Sequence, residues 1–251
     1  MLAKPFIVIL LRRLRSLLAN WKSHLQLIKD TEECSNLRNK EKSKSPSRTE
    51  IINYVASQRK SLNYLEIGVR NPEDNFNQIQ VGSKTSVDPG QEHVLNPVTH
   101  KMTSDGFFNF WKETKMHAFD LIFIDGLHLA EQVARDIQSA LAMSSSDGVI
   151  CLHDCNPPNE YFAREKYRVN NPARGSWNGT TYKAVWKYGF EGEFQLKIVD
   201  CDWGVGVIDK SKPKSPEQNQ NPYFEWARFE EVRTKSGFIV SFSEFKEWFN
   251  C

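Results

Sequence analysis

Acidic and imidazole side chains stand at the ends of several apolar runs in the sequence. Four such runs end in Glu66 with Gly68, in Asp88, in Asp125, and in His153 with Asp154. In an open α/β sheet, ligands bind in the crevice beyond the carboxyl ends of the strands. The pattern therefore predicts a ligand site built from strand ends. Asp88 follows Gly68 by 20 residues, which suits a carboxylate that hydrogen-bonds ribose hydroxyls.

Two kinds of proton-removing chemistry are open to these residues. His128, His153 and Asp154 are candidate catalytic residues, because a hydroxyl nucleophile must give its proton to a base. A histidine base would make the rate rise with pH through about 6–7. Alternatively, Asp125 and Asp154 would share a hard cation such as Mg²⁺ through their oxygens. A third interpretation makes His128 a helix-start residue bonded to a neighbouring carboxylate.

The apolar runs that carry these groups predict a parallel sheet. The runs cover residues 63–69, 85–89, 119–126 and 148–154, and helical spacing follows over residues 129–143. Continuous apolar strands that alternate with helices indicate a sheet covered on both faces. Two further strand-like runs, residues 195–200 and 203–209, have only two residues between them. Because a helical crossover needs more chain, these two runs predict an antiparallel hairpin.

The composition favours one α/β domain with an extension. Of 251 residues, 39% are apolar and 25% charged, with a net charge of +2. Residues 1–48 carry eleven Lys/Arg and four Asp/Glu, whereas the remainder carries 22 and 27. A mildly acidic body argues against nucleic-acid binding. The five cysteines include no Cys-x-x-Cys pair, which argues against a zinc site and favours reduced thiols in a cytoplasmic protein.

The two ends of the chain are expected to lie outside the main domain. Residues 1–30 predict an amphipathic basic helix, with apolar positions at Ile7, Leu10, Leu11, Leu14, Leu17, Leu18, Trp21, Leu25 and Ile28. The uncharged stretch is too short to span a bilayer. Residues 5–28 therefore predict a helix that lies on a membrane surface, or one that packs on the body or on a partner subunit. Residues 31–48 have a linker composition. The domain is expected over residues 49–210, followed by a second linker and helices over 211–251.

The ordered set of runs resembles a known enzyme family. Residues 64–69 (YLEIGV), 86–89 (SVDP), 120–128 (DLIFIDGLH) and 148–154 (GVICLHD) are similar to class I S-adenosylmethionine-dependent methyltransferases. The bacterial branch called methyltransferase family 24 is the most similar, over about residues 50–209. The resemblance implies a Rossmann-like α/β fold, with a seven-stranded, mostly parallel sheet, an antiparallel last strand and helices on both faces. It also implies S-adenosylmethionine as cofactor and methylation of a small molecule or glycan, chiefly at oxygen.

The resemblance implies a role for several residues. Glu66 and Gly68 would lie beside the amino-acid part of the cofactor, Asp88 on its ribose, Ser104 and Asp105 on its adenine, and Asp125 beside the transferred methyl group. The first loop departs from the family, because Arg70 and Pro72 stand where small residues are usual. The alternative is therefore a Rossmann-like binding module that has lost its cofactor.

A polar and aromatic segment is expected to cover the acceptor. Residues 157–189 follow the run that ends at Asp154, so they can hang over the site as a lid. The aromatic side chains in this segment are Tyr161, Tyr167, Trp177 and Tyr182. They would either stack on a sugar or aromatic acceptor, or pack within the segment itself.

Overall fold

One mixed sheet with helices on both faces organises the chain. The computed structural model describes residues 3–93 and 95–251, with side chains from residue 12 onward. The strands are β1 Asn63–Ile67, β2 Ser83–Val87, β3 Phe119–Ile124, β4 Ser144–Leu152, β5 Phe194–Val199, β6 Val205–Pro213 and β7 Ile239–Val240. The helices are α1 Ala3–Ser43, α2 Arg48–Arg59, α3 Ser104–Thr114, α4 Ala130–Met143, α5 Thr181–Glu191, α6 Trp226–Lys235 and α7 Phe242–Asn250.

The continuous apolar strands form two cores, one on each face of the sheet. Successive side chains of a strand point to opposite faces, so both faces of these strands are apolar. Leu65, Ile122 and Ile150 lie in the core covered by α3, α4, α5 and α6. Leu121 and Val149 lie in the core covered by α2 and α7. This is the fold class that the alternating runs predicted.

The strand order places a crevice above β1. The order is β2-β1-β3-β4-β6-β5-β7, and β6 is antiparallel to both β4 and β5. The predicted β5–β6 hairpin and mostly parallel sheet are therefore confirmed. Because β1 lies between β2 and β3, the chain leaves β1 toward one side and later returns on the other. The carboxyl ends of the strands diverge at such a switch point and open a ligand crevice.

The prediction of a linker over residues 31–48 is corrected by the structure, because α1 continues to Ser43. The Glu, Lys and Arg side chains of this stretch favour helix as well as they favour solvent. Cys34 anchors the helix, since it is fully buried with Phe162 and Ala173. The apolar positions predicted at Ile7, Leu10 and Leu11 lie outside the described side chains.

Two further boundaries differ from the sequence prediction. The predicted insert of residues 157–189 ends earlier, because α5 begins at Thr181 and buries Tyr182 against Phe229. We call residues 157–180 the insert from here on. The segment 211–251 is part of the domain, since Ile239 of β7 pairs with Ile198 of β5 in parallel. The seventh strand thus comes from beyond the predicted domain end.

Deleting residues 1–43 is expected to lower the melting temperature by about 4–8 °C. The deletion exposes Phe162 and removes the hydrogen bonds of Asp30 to Tyr161 and of Arg38 to the insert. Exposing one large apolar side chain costs about 2 kcal/mol, and each kcal/mol moves the melting temperature of a domain this size by about 2–4 °C. Differential scanning calorimetry measures the effect. A deletion of residues 1–26, which keeps the docked turns, is the matched control, and equal melting temperatures for both deletions would contradict the prediction.

Candidate active site

A cleft of about 730 Å³ opens at the carboxyl ends of β1 to β4. All nine residues predicted from the sequence line it, namely Glu66, Gly68, Asp88, Ser104, Asp105, Asp125, His128, His153 and Asp154. Their location in one cleft agrees with the prediction that the ends of parallel strands bring these residues together. Their contacts divide them into a groove along β1 and β2 and a charged cluster above β3 and β4.

The first loop depends on Gly68 for its path. Gly68 has φ +93°, and a Cβ there would collide with the carbonyl oxygen of Asp125. The amide of Asp125 also donates to the carbonyl of Ile67, 2.9 Å away. Gly68 therefore allows the end of β1 to cross the end of β3 at backbone distance, which places Asp125 in the cleft.

Glu66 is held by hydrogen bonds beneath the cleft. Its Oε2 accepts from the Tyr64 hydroxyl at 2.6 Å and from Asn75 Nδ2 at 2.9 Å. Burial raises the pKa of Glu66 to about 7, although both hydrogen bonds and the charge of Arg48 act in the opposite direction. At neutral pH this carboxyl is therefore only partly ionised.

The groove along β2 and α3 holds the other predicted cofactor residues. Asp88 accepts the amide N–H of Gly90 at 2.6 Å through one carboxylate oxygen. Ser104 Oγ accepts from Gln132 Nε2 at 3.0 Å, and Asp105 lies 3.4 Å from Arg135. Ser104 and Asp105 are the first two residues of α3, and both line the cleft.

Two imidazoles and two carboxylates form the charged cluster. His128 lies between the acids, with Nε2 3.3 Å from Asp125 Oδ1 and Nδ1 3.1 Å from Asp154 Oδ2. His153 Nδ1 lies 3.3 Å from the same Asp125 oxygen and 3.5 Å from Asp154 Oδ2. The side chain of His128 is 20% exposed whereas that of His153 is 6% exposed, so the cleft reaches His128 more readily.

The cluster shifts the pKa of its members in opposite directions. Burial alone would lower the pKa of His128, but the charge of Asp154 and the hydrogen bond and charge of Asp125 raise it to about 9. The same two acids raise the pKa of His153 well above its ordinary value. Burial opposes the ionisation of Asp125, yet His153, His128 and Arg48 hold its pKa well below the usual range. The cluster therefore holds positive charge on its imidazoles at neutral pH.

Two residues that the sequence interpretation missed complete the cluster. Arg48, at the start of α2, places Nη1 3.9 Å from Asp125 Oδ2. Its backbone N–H donates to Asp202 Oδ2 at 2.9 Å, and Asp202 Oδ1 lies 3.3 Å from His153 Nε2. A hydrogen bond and the charge of His153 outweigh burial and lower the pKa of Asp202 to about 2. Since β5 runs parallel to β4, the residues that follow β5 reach the same edge of the sheet, and that relation could have identified Asp202.

Asp154 is held in a left-handed backbone conformation, which is uncommon for a residue other than glycine. Its φ is +58°, and its Oδ1 accepts from Asn178 Nδ2 at 2.6 Å. Such a conformation costs free energy and persists where the surroundings fix it. The insert thus orients the carboxylate that faces His128.

The insert covers the cluster through Trp177. The Trp177 ring stacks on His128 with 5.2 Å between centroids, and its carbonyl oxygen lies 3.2 Å from His128 Nδ1. Gly179 has φ +61°, where a Cβ would collide with the carbonyl of His128. Tyr167 also lines the cleft, but Tyr161 hydrogen-bonds Asp30 and Tyr182 lies in the core. The predicted stacking role of Tyr161 and Tyr182 is therefore wrong.

Asp125, His128 and Asp154 form a group that could hold a metal ion. One ligand atom from each lies within 4.8 Å of the others. The predicted pair Asp125 and Asp154 is thus brought together, with an imidazole between the two carboxylates. Asn156, two residues after Asp154, is not among the residues that line the cleft, and its Nδ2 donates to Asp200 at 3.3 Å.

Comparisons with known proteins give one family and a set of similar folds. Residues 43–155 match the family model described as a methyltransferase domain. No curated protein matches the chain. Similar solved structures include the O-methyltransferase from Bacillus cereus in complex with S-adenosylhomocysteine, at 16% identity and a TM-score of 0.41, covering 72% of this chain and 90% of that one. The O-methyltransferase TomG from Streptomyces achromogenes, in complex with S-adenosylmethionine, has 11% identity, a TM-score of 0.44 and coverages of 72% and 88%. The Podospora anserina methyltransferase PaMTH1 has 16% identity, a TM-score of 0.43 and coverages of 75% and 88%.

Proposed function

We propose that the chain is a class I S-adenosylmethionine-dependent methyltransferase, because residues 43–155 match the family model described as a methyltransferase domain, and that it methylates a hydroxyl oxygen of a small molecule or glycan. The observation that carries the oxygen assignment is the His128 imidazole, which lies in the cleft between two carboxylates. A hydroxyl must lose its proton as it is methylated, and an imidazole in this position can accept it. Beyond proton removal, methyl transfer requires chiefly that the acceptor oxygen is held in line with the methyl group of the cofactor.

S-adenosylmethionine supplies a methyl group carried on a positively charged sulfur. The cleft has room for this molecule, and the carboxylates of Asp125 and Asp154 line it. In the proposal, Glu66 and Gly68 line the amino-acid end of the cofactor, Asp88 bonds the ribose, and the start of α3 with Ser104 and Asp105 contacts adenine. The first loop keeps its single glycine, which supports a bound cofactor although Arg70 and Pro72 follow.

Asp88→Ala is expected to weaken S-adenosylmethionine binding by about 1–3 kcal/mol, a rise of roughly 5- to 150-fold in Kd. The loss of a charged acceptor for ribose hydroxyls is the physical reason. Isothermal titration calorimetry of the full chain measures it without any acceptor. Asp147→Ala is the matched control, because Asp147 is an exposed carboxylate at the amino end of β4. An unchanged Kd in Asp88→Ala would refute the ribose role, and the absence of binding to the unaltered chain would refute the proposed function.

His128 is the base in this proposal. Its Nδ1 faces the carbonyl oxygen of Trp177, which can only accept, so Nδ1 donates and Nε2 is left to exchange a proton. Asp125 lies on Nε2 and stabilises the imidazolium that forms when the acceptor proton arrives. His153 is more deeply buried and pairs with Asp202, so it positions Asp125 and does not meet the acceptor.

Magnesium fits this group of ligands poorly. Mg²⁺ requires near-octahedral oxygen ligands, whereas one of the three candidate ligands here is an imidazole nitrogen. A carboxylate–imidazole–carboxylate set suits a softer divalent ion such as Zn²⁺ or Mn²⁺. Proton removal is therefore the role of His128 and not of a magnesium ion.

Aromatic side chains favour a sugar or phenolic acceptor. Tyr167 and Trp177 line the cleft, and their rings lie 5.4 Å apart beside His128. Aromatic faces bind the apolar face of a sugar ring or another aromatic ring. An acceptor held against Trp177 would lie next to the base.

The free cysteines bear on the cellular compartment of the protein. Cys34, Cys151, Cys155 and Cys201 are buried and free, and Cys251 is exposed and free. Unpaired thiols of this kind support a reducing compartment, and we assign the protein to the cytoplasm. Peripheral contact of residues 5–28 with a membrane or a partner subunit is part of this assignment.

A further inference from the structure

The two halves of α1 have different surroundings. The C-terminal half is docked on the insert, through Asp30 to Tyr161, Cys34 in its buried pocket, and Arg38 to Ser176 and Ala173. Residues 12–29 are exposed throughout. The body therefore fixes the helix at its C-terminal end and leaves residues 12–29 in solvent.

The exposed half carries one continuous apolar face. Its large apolar side chains are Leu14, Leu17, Leu18, Trp21, Leu25 and Ile28, between 40% and 64% exposed. We call these six residues the stripe. The spacings of three, one, three, four and three residues put all six on one side of a helix. Since exposed apolar patches of this extent mark interaction sites, the stripe needs a partner.

The charge of the same half identifies the kind of partner. Residues 1–29 contain Lys4, Arg12, Arg13, Arg15, Lys22 and Lys29 and no Asp or Glu. Arg13 flanks the stripe on one side and Arg15, Lys22 and Lys29 flank it on the other. Arg12, Ser16 and Ser23 lie on the far side of the helix. Two copies of this segment packed stripe to stripe would bring like charges together. An anionic surface would instead complement them.

We propose that the stripe binds the surface of a bilayer that contains anionic lipids, with α1 lying in the plane of the interface. Leucine and tryptophan side chains on one face and Lys/Arg beside them are the features of interfacial helices. None of the helices in the described part of the chain is both long and apolar enough to cross a bilayer. This inference goes beyond methyl transfer and does not depend on it.

Flotation with lipid vesicles tests the proposal without cofactor or acceptor. The full chain is expected to float with vesicles of phosphatidylcholine and phosphatidylserine, less with phosphatidylcholine alone, and less as salt is raised. Leu18→Ser is expected to weaken binding by about tenfold or more, because one buried leucine side chain is lost. Leu27→Ser is the matched control. Leu27 is also exposed, but nine residues, or two and a half turns, place it on the far side of the helix from Leu18.

Three results would overturn the proposal. The first is no flotation on anionic vesicles, and the second is equal loss in Leu18→Ser and Leu27→Ser. The third is a dimer, seen by analytical ultracentrifugation, that Leu18→Ser dissociates, since this outcome assigns the stripe to a second copy. Each leaves the proposed methyl transfer untouched, because calorimetry with S-adenosylmethionine measures that function separately.

Discussion

Alanine at position 128 is expected to slow methyl transfer by about 10²–10⁴-fold, the usual contribution of a positioned general base. Nε2 of His128 faces Asp125, and Nδ1 is fixed by Trp177 and Asp154. Removal of the ring leaves only His153 in the cluster, and that imidazole is 6% exposed and paired with Asp202. The measurement is the initial rate with an acceptor found from a panel of sugars, nucleotide sugars and phenols. S-adenosylmethionine affinity is expected to stay within about twofold, because the residues proposed to bind the cofactor lie elsewhere in the groove.

The pH profile separates a base from a packing residue. A base acts unprotonated, and the neighbouring acids raise the pKa of His128 to about 9. The value of kcat/KM should therefore rise with pH and level off near 9, rather than near the 6–7 of an ordinary histidine. His128→Ala should flatten this rise. His117→Ala, at an exposed histidine ahead of β3, is the control and should keep it. A profile of unchanged shape in His128→Ala would contradict the role of base.

The location of the site was predictable because it follows from the direction of the strands. Parallel strands bring their carboxyl ends to one edge, so Glu66, Asp88, Asp125 and Asp154 had to meet there once the four runs were recognised as strands. Neither the raised pKa of His128 nor its place between two acids follows from spacing. Both depend on the left-handed turn at Asp154 and on the insert that covers it.

The features that sequence patterns missed depend on tertiary contacts. Arg48 and Asp202 reach the cluster from α2 and from the turn after β5, elements far apart in sequence. The end of α1 has a linker composition, because its docking needs little more than Cys34 and hydrogen bonds to the insert. A hydrophobicity pattern cannot detect a helix that is held mainly by polar contacts and one buried thiol.

Exchange of Asp154 for asparagine is expected to move the alkaline rise of kcat/KM downward by about one to three pH units. The charge of Asp154 is the largest contribution that raises the pKa of His128, and an amide of the same shape removes it. A histidine base is then unprotonated at lower pH. The ratio of kcat/KM at pH 7 to kcat/KM at pH 9 should therefore be higher in Asp154→Asn than in the unaltered enzyme. Glu160→Gln, a charge removal within the insert, is the matched control and should leave the profile unchanged.

Chelation decides between this base and a metal at the same three side chains. With His128 as base, dialysis against a chelator is expected to leave both the rate and the profile unchanged. If Asp125, His128 and Asp154 instead hold a divalent ion, the dialysed enzyme loses transfer and regains it with Zn²⁺ or Mn²⁺. Asp154→Asn then loses transfer at every pH, since a ligand and its charge are both removed. The two mechanisms therefore predict opposite effects of Asp154→Asn on the relative rate of methyl transfer near pH 7. With a histidine base the relative rate rises, because His128 loses its proton more readily, whereas with a bound metal ion the rate falls, because a ligand is lost.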